Sequence, residues 1–309
     1  MVLPVLGMTR PGAPFPRPLN YKSELLYHLR AADLLLGHKP GENVLTALTG
    51  EVPTFTRASA GGLTRDALGY LTLWGKSVPR IEMYDLDGDG YYETPGVMLE
   101  GQRENVCLRS EAINHGDWTN VNSPIVTNDD AEAPDRTISA DKIEDDSAAD
   151  SEGRRQDIGI ANDSTTWCAS VFVKKAPAGA PVLKLLALLT GGSVPSAALY
   201  VDPINGANIA SGSVRDSGVV EYSTYYRIWL TVDNDSSGNN NMALFLMPAV
   251  RASGDVGAAS DVVTTVGSNH FWGVQVENAA FPSTYIYTGG AAVTRVADAL
   301  TYTLAWLGQ

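Results

Sequence analysis

A succession of strand-like stretches, with no helical spacing between them, most constrains the fold of this 309-residue chain. Side chains alternate between two faces in residues 167–174, 226–232 and 271–277, which is the period of a β-strand. Residues 182–189 and 242–247 are almost wholly apolar, as expected of strands that are covered on both faces. The pattern predicts a mostly β protein, folded as an antiparallel two-sheet sandwich of jelly-roll type.

The start of the chain predicts a different structure. Prolines at positions 4, 11, 14, 16 and 18 favour an extended arm, because proline fixes φ and lacks a backbone donor. A short helix is then predicted from the N-cap candidate Ser23 to a stop at Gly37. Its apolar positions are Leu25, Leu29, Ala32 and Leu36. We interpret residues 1–40 as an arm and a helix that dock the protein to a partner. Alternatively, the same pattern fits a helix that packs against its own domain.

Residues 41–96 are predicted to be a short-stranded connecting region that carries an acidic loop. Alternate positions of this loop offer oxygen ligands from Asp85, Asp87, Asp89, the Tyr91 carbonyl and Glu93. Such oxygen ligands suit a hard cation. An EF-hand would need a glutamate at position 96, where this sequence has Gly96. We therefore predict a shorter loop that binds a structural Ca²⁺. A hairpin turn that binds no ion fits the same residues equally.

Charge, hydropathy and cysteine content exclude several classes of function. A net charge of −13, without clustered lysine and arginine, predicts no nucleic-acid partner. No apolar stretch has the length of a membrane span. Cys107 and Cys168 both lie in apolar stretches, which favours two buried thiols, although spacing alone does not exclude a disulfide.

A set of short motifs follows in fixed order along the chain. The first occupies residues 97–118 and contains Leu99, Glu100, Gly101, Arg103, Asn105, Ser110, Glu111 and Trp118. Others are found at residues 55–59, 225–227, 272–277, 281–286 and 292–298. The ordered set resembles bacteriophage virion proteins with a lectin-like or carbohydrate-binding-like β-sandwich. Glu104 and Ile113 depart from the family pattern, which usually has threonine and an aromatic residue there.

The resemblance implies a part of the phage particle, assembled in the host cytoplasm. Residues 97–309 would form a lectin-like sandwich displayed by a tail fibre, a spike or a capsid decoration protein. The N-terminal arm would bind other virion proteins, and the chain would be a homo-oligomer, with a trimer among the expected forms. Contact with host glycans is also implied. Location on head or tail stays open, and a free carbohydrate-binding module is the alternative.

Aromatic residues of the β-rich part are the candidates for a sugar site, because sugars stack their apolar faces on aromatic rings. They are Tyr222, Tyr225, Trp229, Tyr285 and Tyr287. The sequence is equally consistent with a place for each of them in the core or in a subunit interface. Glycan hydrolysis needs a pair of carboxylates, and no motif in the sequence distinguishes such a pair from the other acidic residues. We therefore predict that the protein is not an enzyme, with a glycan-degrading tailspike as the alternative. We expect Glu100 and Glu277 to be buried partners of Arg103 or Arg295.

Overall fold

The computed structural model describes residues 54–59, 62–84 and 94–301, and three short strands that precede them. The strands outside the large sheets are β1 Leu29–Arg30, β2 Leu36–Gly37, β3 Thr46–Ala47, β4 Thr54–Thr56, β5 Leu63–Arg65, β6 Leu71–Leu73, β7 Arg80–Tyr84, β8 Thr94–Met98, β9 Arg103–Asn105, β22 Val293–Arg295 and β23 Ala299–Thr301. The strands of the large sheets are β10 Thr119–Val121, β11 Ile125–Glu132, β12 Ile138–Asp145, β13 Gly153–Gly159, β14 Thr166–Lys174, β15 Val182–Thr190, β16 Ser196–Val201, β17 Asn208–Gly212, β18 Val214–Glu221, β19 Tyr225–Asp233, β20 Asn241–Arg251 and β21 Gly267–Asn278.

Two antiparallel six-stranded sheets form a sandwich and confirm the predicted fold class. Sheet 1 has the strand order β10-β13-β20-β15-β16-β17, and sheet 2 has the order β11-β12-β21-β14-β19-β18. Paired strands such as β13 and β20, or β12 and β21, are distant in sequence, so the chain passes repeatedly from one sheet to the other. This is the arrangement expected when many short strands share one core.

The predicted N-terminal helix is wrong where the structure describes it. Leu29–Arg30 pairs antiparallel with Gly96 and Val97, and Leu36–Gly37 pairs with Thr46–Ala47. Backbone groups that bond to another strand cannot form the i to i−4 bonds of a helix. The remaining residues of that prediction, and the proline-rich arm, lie outside the described residues. Within the described ranges we find no helix long and apolar enough to cross a membrane.

The main core lies between the two sheets, where each strand contributes every second side chain. Sheet 1 supplies Leu183, Leu185, Ala187, Leu189, Leu199, Leu244 and Leu246, and sheet 2 supplies Ala169, Val171, Val173, Ile228, Leu230, Val274 and Val276. All of these side chains are fully buried. At about 25 cal/mol per Å² of apolar surface, this burial is the largest stabilising contribution to the sandwich.

A third layer covers the outer face of sheet 2. It is built from small strand pairs, β5 with β6, β9 with β22, and β4 with β23, so that segments near both ends of the described chain meet there. Its apolar side is a second core in which Leu63 and Leu71 pack against Phe172, Trp272 and Tyr285. The outer face of sheet 2 is therefore an interior surface.

Five buried charged side chains fasten the third layer. Arg57 Nη1 lies 3.1 Å from Asp298 Oδ1, and Arg80 forms ion pairs with both Asp298 and Glu100. Arg295 Nη1 lies 2.7 Å from Glu100 Oε2, which confirms the predicted partner of Glu100. The three arginines are at most 1% exposed. We call these residues, Arg57, Arg80, Arg295, Glu100 and Asp298, the ion cluster.

Glu100 is held in its ionised form at the centre of the ion cluster. Burial opposes ionisation, but the positive charges of Arg295 and Arg80 outweigh it and lower the pKa of Glu100 to about 2. Its backbone N–H donates to Asp298 Oδ2 at 2.9 Å, and the Thr284 backbone N–H donates to Glu100 Oε1 at 2.9 Å. A buried carboxylate with charged partners of this kind is costly to remove alone.

We expect Glu100→Gln to lower the free energy of unfolding by about 3 kcal/mol at neutral pH, because two buried guanidinium groups lose their counter-charge. The folded pKa lies below the ordinary 4.5, so this stabilisation is present above pH 4.5 and is lost as pH falls towards 2. Urea unfolding across that pH range should show that the free energy of unfolding depends less on pH in the variant than in the wild type. The exposed Glu104→Gln is the control. An unchanged pH dependence in Glu100→Gln would contradict this assignment.

Candidate functional site

The predicted calcium loop lies outside the described residues, and its members are Asp85, Asp87, Asp89, Tyr91 and Glu93. Elsewhere, within the ranges that the structure does describe, no three His, Cys, Asp or Glu side chains are grouped so that they could hold a metal ion. The calcium loop therefore stays a prediction. Cys107 and Cys168 are both buried free thiols, as the sequence favours.

The predicted sugar-binding aromatic residues lie on the sheet 2 side. Tyr225 and Tyr285 are buried in the third-layer core, and Tyr222 packs edge-on against Phe172 there, with ring centroids 5.4 Å apart. Trp229 is 7% exposed, whereas Tyr287 is 59% exposed. Of the five candidates, Tyr287 is thus the one with a largely open ring.

Two of these tyrosines belong to buried polar contacts that include a carboxyl group. The Tyr285 hydroxyl donates to Glu111 Oε1 at 3.0 Å, and the Arg65 guanidinium lies 4.2 Å from the centroid of the Tyr222 ring. Glu82 accepts the Arg65 backbone N–H at 2.6 Å. Burial raises the pKa of both Glu82 and Glu111 to about 7.

Within the part of the chain that the structure describes, the third layer covers sheet 2 and leaves the outer face of sheet 1 uncovered. Antiparallel registers align its outward side chains in rows across the strands. The middle row is Thr119, Arg155, Phe245, Leu186, Ala198 and Ser211, and the end row is Asp157, Ala243, Leu188 and Ser196. The middle row crosses six strands, a distance of about 24 Å at the usual strand spacing.

This face combines half-buried apolar side chains with hydrogen-bonding groups. Phe245, Leu186 and Leu188 are partly exposed, in contrast to the inward-facing neighbours on the same strands. The Arg155 guanidinium lies 5.3 Å from the centre of the Phe245 ring and forms an ion pair with Asp157 at 2.6 Å. The charges of Arg155 and Asp157 are thus paired, so the face offers an aromatic platform with neutralised polar neighbours. Such a surface suits a ligand with both apolar and hydroxyl groups.

A third row beside the middle row is covered. It consists of Met247, Lys184, Tyr200 and Ile209, and we call it the strap row because residues 252–266, the strap, cross over it. Val256 and Ala259 of the strap pack against the apolar side chains of this row. Met247, Lys184 and Tyr200 are consequently only 4–7% exposed. The strap borders the middle and end rows, and we call the surface of these two rows the groove.

Sequence reasoning missed this face because it treated residues 182–189 and 242–247 as covered on both sides. Their inward side is covered, but Leu186, Leu188 and Phe245 face outward and remain half-buried. The one local sequence signal for this face is the unusually apolar composition of its strands. That signal does not reveal whether a further layer covers the second side of the sheet, because distant segments would form such a layer.

The acids of the sequence motifs have structural partners. Glu100 belongs to the ion cluster, and Glu277 accepts the backbone N–H of Ser283 at 2.9 Å and also its hydroxyl. Asn105 donates to the carbonyls of Val274 and Ile286 and accepts from the backbone of Cys107 and Val276. These motif residues tie the third layer to sheet 2.

No family model and no curated protein matches the sequence. Among solved structures, the chain is similar in part to the enzymatically active domain of tailspike protein 4 of bacteriophage CBA120, with 10% identity and a TM-score of 0.34 over 56% of this chain and 21% of that one. It is also similar in part to the CBM22-1–GH10 modules of Clostridium thermocellum endo-1,4-beta-D-xylanase 10B complexed with xylohexaose, with 13% identity and a TM-score of 0.33 over 61% and 30%. The chain spans less than a third of either structure.

Glu82 and Glu111 generate a prediction opposite in sign to that for Glu100. Because their folded pKa of about 7 exceeds the ordinary 4.5, they favour folding most below pH 4.5 and less as pH rises towards 7. The double variant Glu82→Gln/Glu111→Gln should lose much of this decline in the free energy of unfolding between pH 4.5 and 7.5. Asp117→Asn, at an exposed position, should keep it. If the free energy of unfolding fell equally with pH in the two variants, burial would not raise the pKa of Glu82 and Glu111.

Proposed function

We propose that this chain is a non-catalytic structural component of a bacteriophage particle that binds neutral carbohydrate on the host surface. The observation that carries the binding part is the uncovered outer face of sheet 1, with Phe245, Leu186 and Leu188 half-buried beside Arg155 and Asp157. Sugars present apolar C–H faces and hydroxyl edges, and this face offers a complementary surface to both.

The motifs that resemble phage virion proteins support the particle part of the proposal. Glu100, Asn105 and Arg295 lie in buried contacts that join the third layer to sheet 2. A motif whose residues fasten layers is a signature of architecture, and a shared architecture is what a family of virion proteins would retain. We further propose a homo-oligomer attached through the N-terminal arm, with a structural Ca²⁺ in the loop at residues 85–93.

The non-catalytic part of the proposal rests on the state of the motif carboxyls. Glu100 is ionised and enclosed by two arginines, and Glu277 is buried against Ser283. A glycosidase needs one protonated acid beside a second carboxylate at the bond that breaks. Glu111, with its raised pKa, is the group on which a hydrolytic reaction would most depend. Incubation with bound polysaccharide should release no new reducing ends, and release that disappears in Glu111→Gln would favour the tailspike alternative.

We expect Phe245→Ala to weaken glycan binding about tenfold, because it removes the aromatic platform from the centre of the groove. An immobilised panel of neutral glycans, tested with the full chain by biolayer interferometry, measures this loss. Tyr287→Ala is the matched control, since it removes an exposed ring on the sheet 2 side. Loss of binding in Tyr287→Ala, with binding retained in Phe245→Ala, would move the site to the other side of the sandwich.

Gold-labelled antibodies raised against this chain should decorate intact phage particles in electron micrographs. Label at the tail tip would assign the protein to a fibre or spike, and label over the capsid would assign it to a decoration protein. Particles lacking the gene product serve as the control. Glycan binding by the purified chain, with no label on any particle, would instead support the free carbohydrate-binding module.

A further inference from the structure

We propose that the strap, residues 252–266, is a selectivity wall of the sheet 1 groove and that Asp261 is the positioning residue that holds it closed. The inference rests on the proposed glycan-binding function and goes beyond it, because it states which glycans are excluded. A linear neutral chain would lie along the middle and end rows. A branch that points towards the strap row would meet the wall.

Asp261 joins the strap to two neighbouring strands of sheet 1. Its carboxylate accepts the Tyr200 hydroxyl at 2.9 Å through Oδ1 and forms an ion pair with the Lys184 ammonium through Oδ2. Lys184 and Tyr200 are directly opposite each other in the β15–β16 pair. One carboxylate therefore satisfies both polar groups of a row that is otherwise apolar.

The Lys184 ammonium makes this closure favourable. The side chain of Lys184 is 9% exposed, and that of Asp261 is 30% exposed. An ammonium buried to this extent would be strongly destabilised without its carboxylate. The position of the wall thus depends on a single charged contact at the strap row.

The base of the strap is fastened separately. Arg251, at the end of β20, forms an ion pair with Asp255 and donates to the Ser260 carbonyl at 2.8 Å. The Val262 backbone N–H donates to the Val250 carbonyl at 2.7 Å. The Arg251 contacts hold the base of the strap. Asp255 is accordingly a matched position for a control, with the same charge on the same segment.

The strap separates covered from open parts of the same face. Tyr200 and Met247 beneath it are nearly buried, whereas Phe245 and Leu186, one row away, are half-buried. Opening the strap would add Tyr200 and Met247 to the accessible surface and widen the groove by one row. A wider groove admits a side branch, so the ratio of affinities for linear and branched glycans measures where the wall stands.

The test compares the wild type with Tyr200→Phe and Asp261→Asn on a panel of neutral glycans in matched linear and branched pairs. The ratio of linear to branched affinity should fall by about tenfold in Asp261→Asn and by an intermediate factor in Tyr200→Phe. Asp255→Asn keeps the contact of Asp261 with Lys184 and should lower the ratio by a smaller factor than Asp261→Asn does. Hydrogen exchange of the Val262 amide should become faster in Asp261→Asn, while amides of β15 stay protected.

Each outcome bears on one statement. An unchanged ratio in Asp261→Asn, with or without faster exchange of the strap, would overturn the selectivity wall. An equal fall in Asp255→Asn would overturn the role of Asp261, because the strap would then act without its contact to Lys184. If the folded wild type binds no member of the panel, the proposed function itself fails. If it binds and only the ratios contradict expectation, the proposed function stands without the wall.

Discussion

The ion cluster is the interaction on which the layered architecture depends. Three arginines and two carboxylates, all buried, come from segments that are more than 200 residues apart in sequence, as in the pair of Arg80 with Asp298. Desolvating such groups is costly, so the arrangement is stable only while every partner is in place. It fixes the third layer on sheet 2 and closes that side of the sandwich.

Closing one side decides which outer face of the described sandwich is open. With the outer face of sheet 2 enclosed, its aromatic side chains become core, as Tyr225 and Tyr285 illustrate. Among the residues that the structure describes, sheet 1 has no comparable layer, and the strap covers one row of its outer face. The two sheets therefore have different roles although their inner faces share one core: sheet 2 supports the architecture, and sheet 1 presents a surface with an aromatic centre at Phe245.

Charge is used differently at the two outer faces. In the ion cluster, buried guanidinium groups keep Glu100 ionised, and the contacts are permanent parts of the core. At the strap, one partly exposed carboxylate joins Lys184 and Tyr200 beneath a surface segment. Ion pairs near water are weaker than enclosed ones, so the strap is the place where a modest change in energy can alter the shape of the surface.

The sequence by itself determined the sandwich, because side-chain alternation is a local property that survives in any β arrangement. It also indicated a buried arginine partner for Glu100, either Arg103 or Arg295, and the structure selected Arg295 and added Arg80. Tertiary structure alone decided that Leu29–Arg30 is a strand, because a distant partner offered its backbone hydrogen bonds. It also decided that Tyr285 is enclosed while Phe245 is half-exposed: the period of a strand defines two faces, but only contacts between distant segments determine which face is covered.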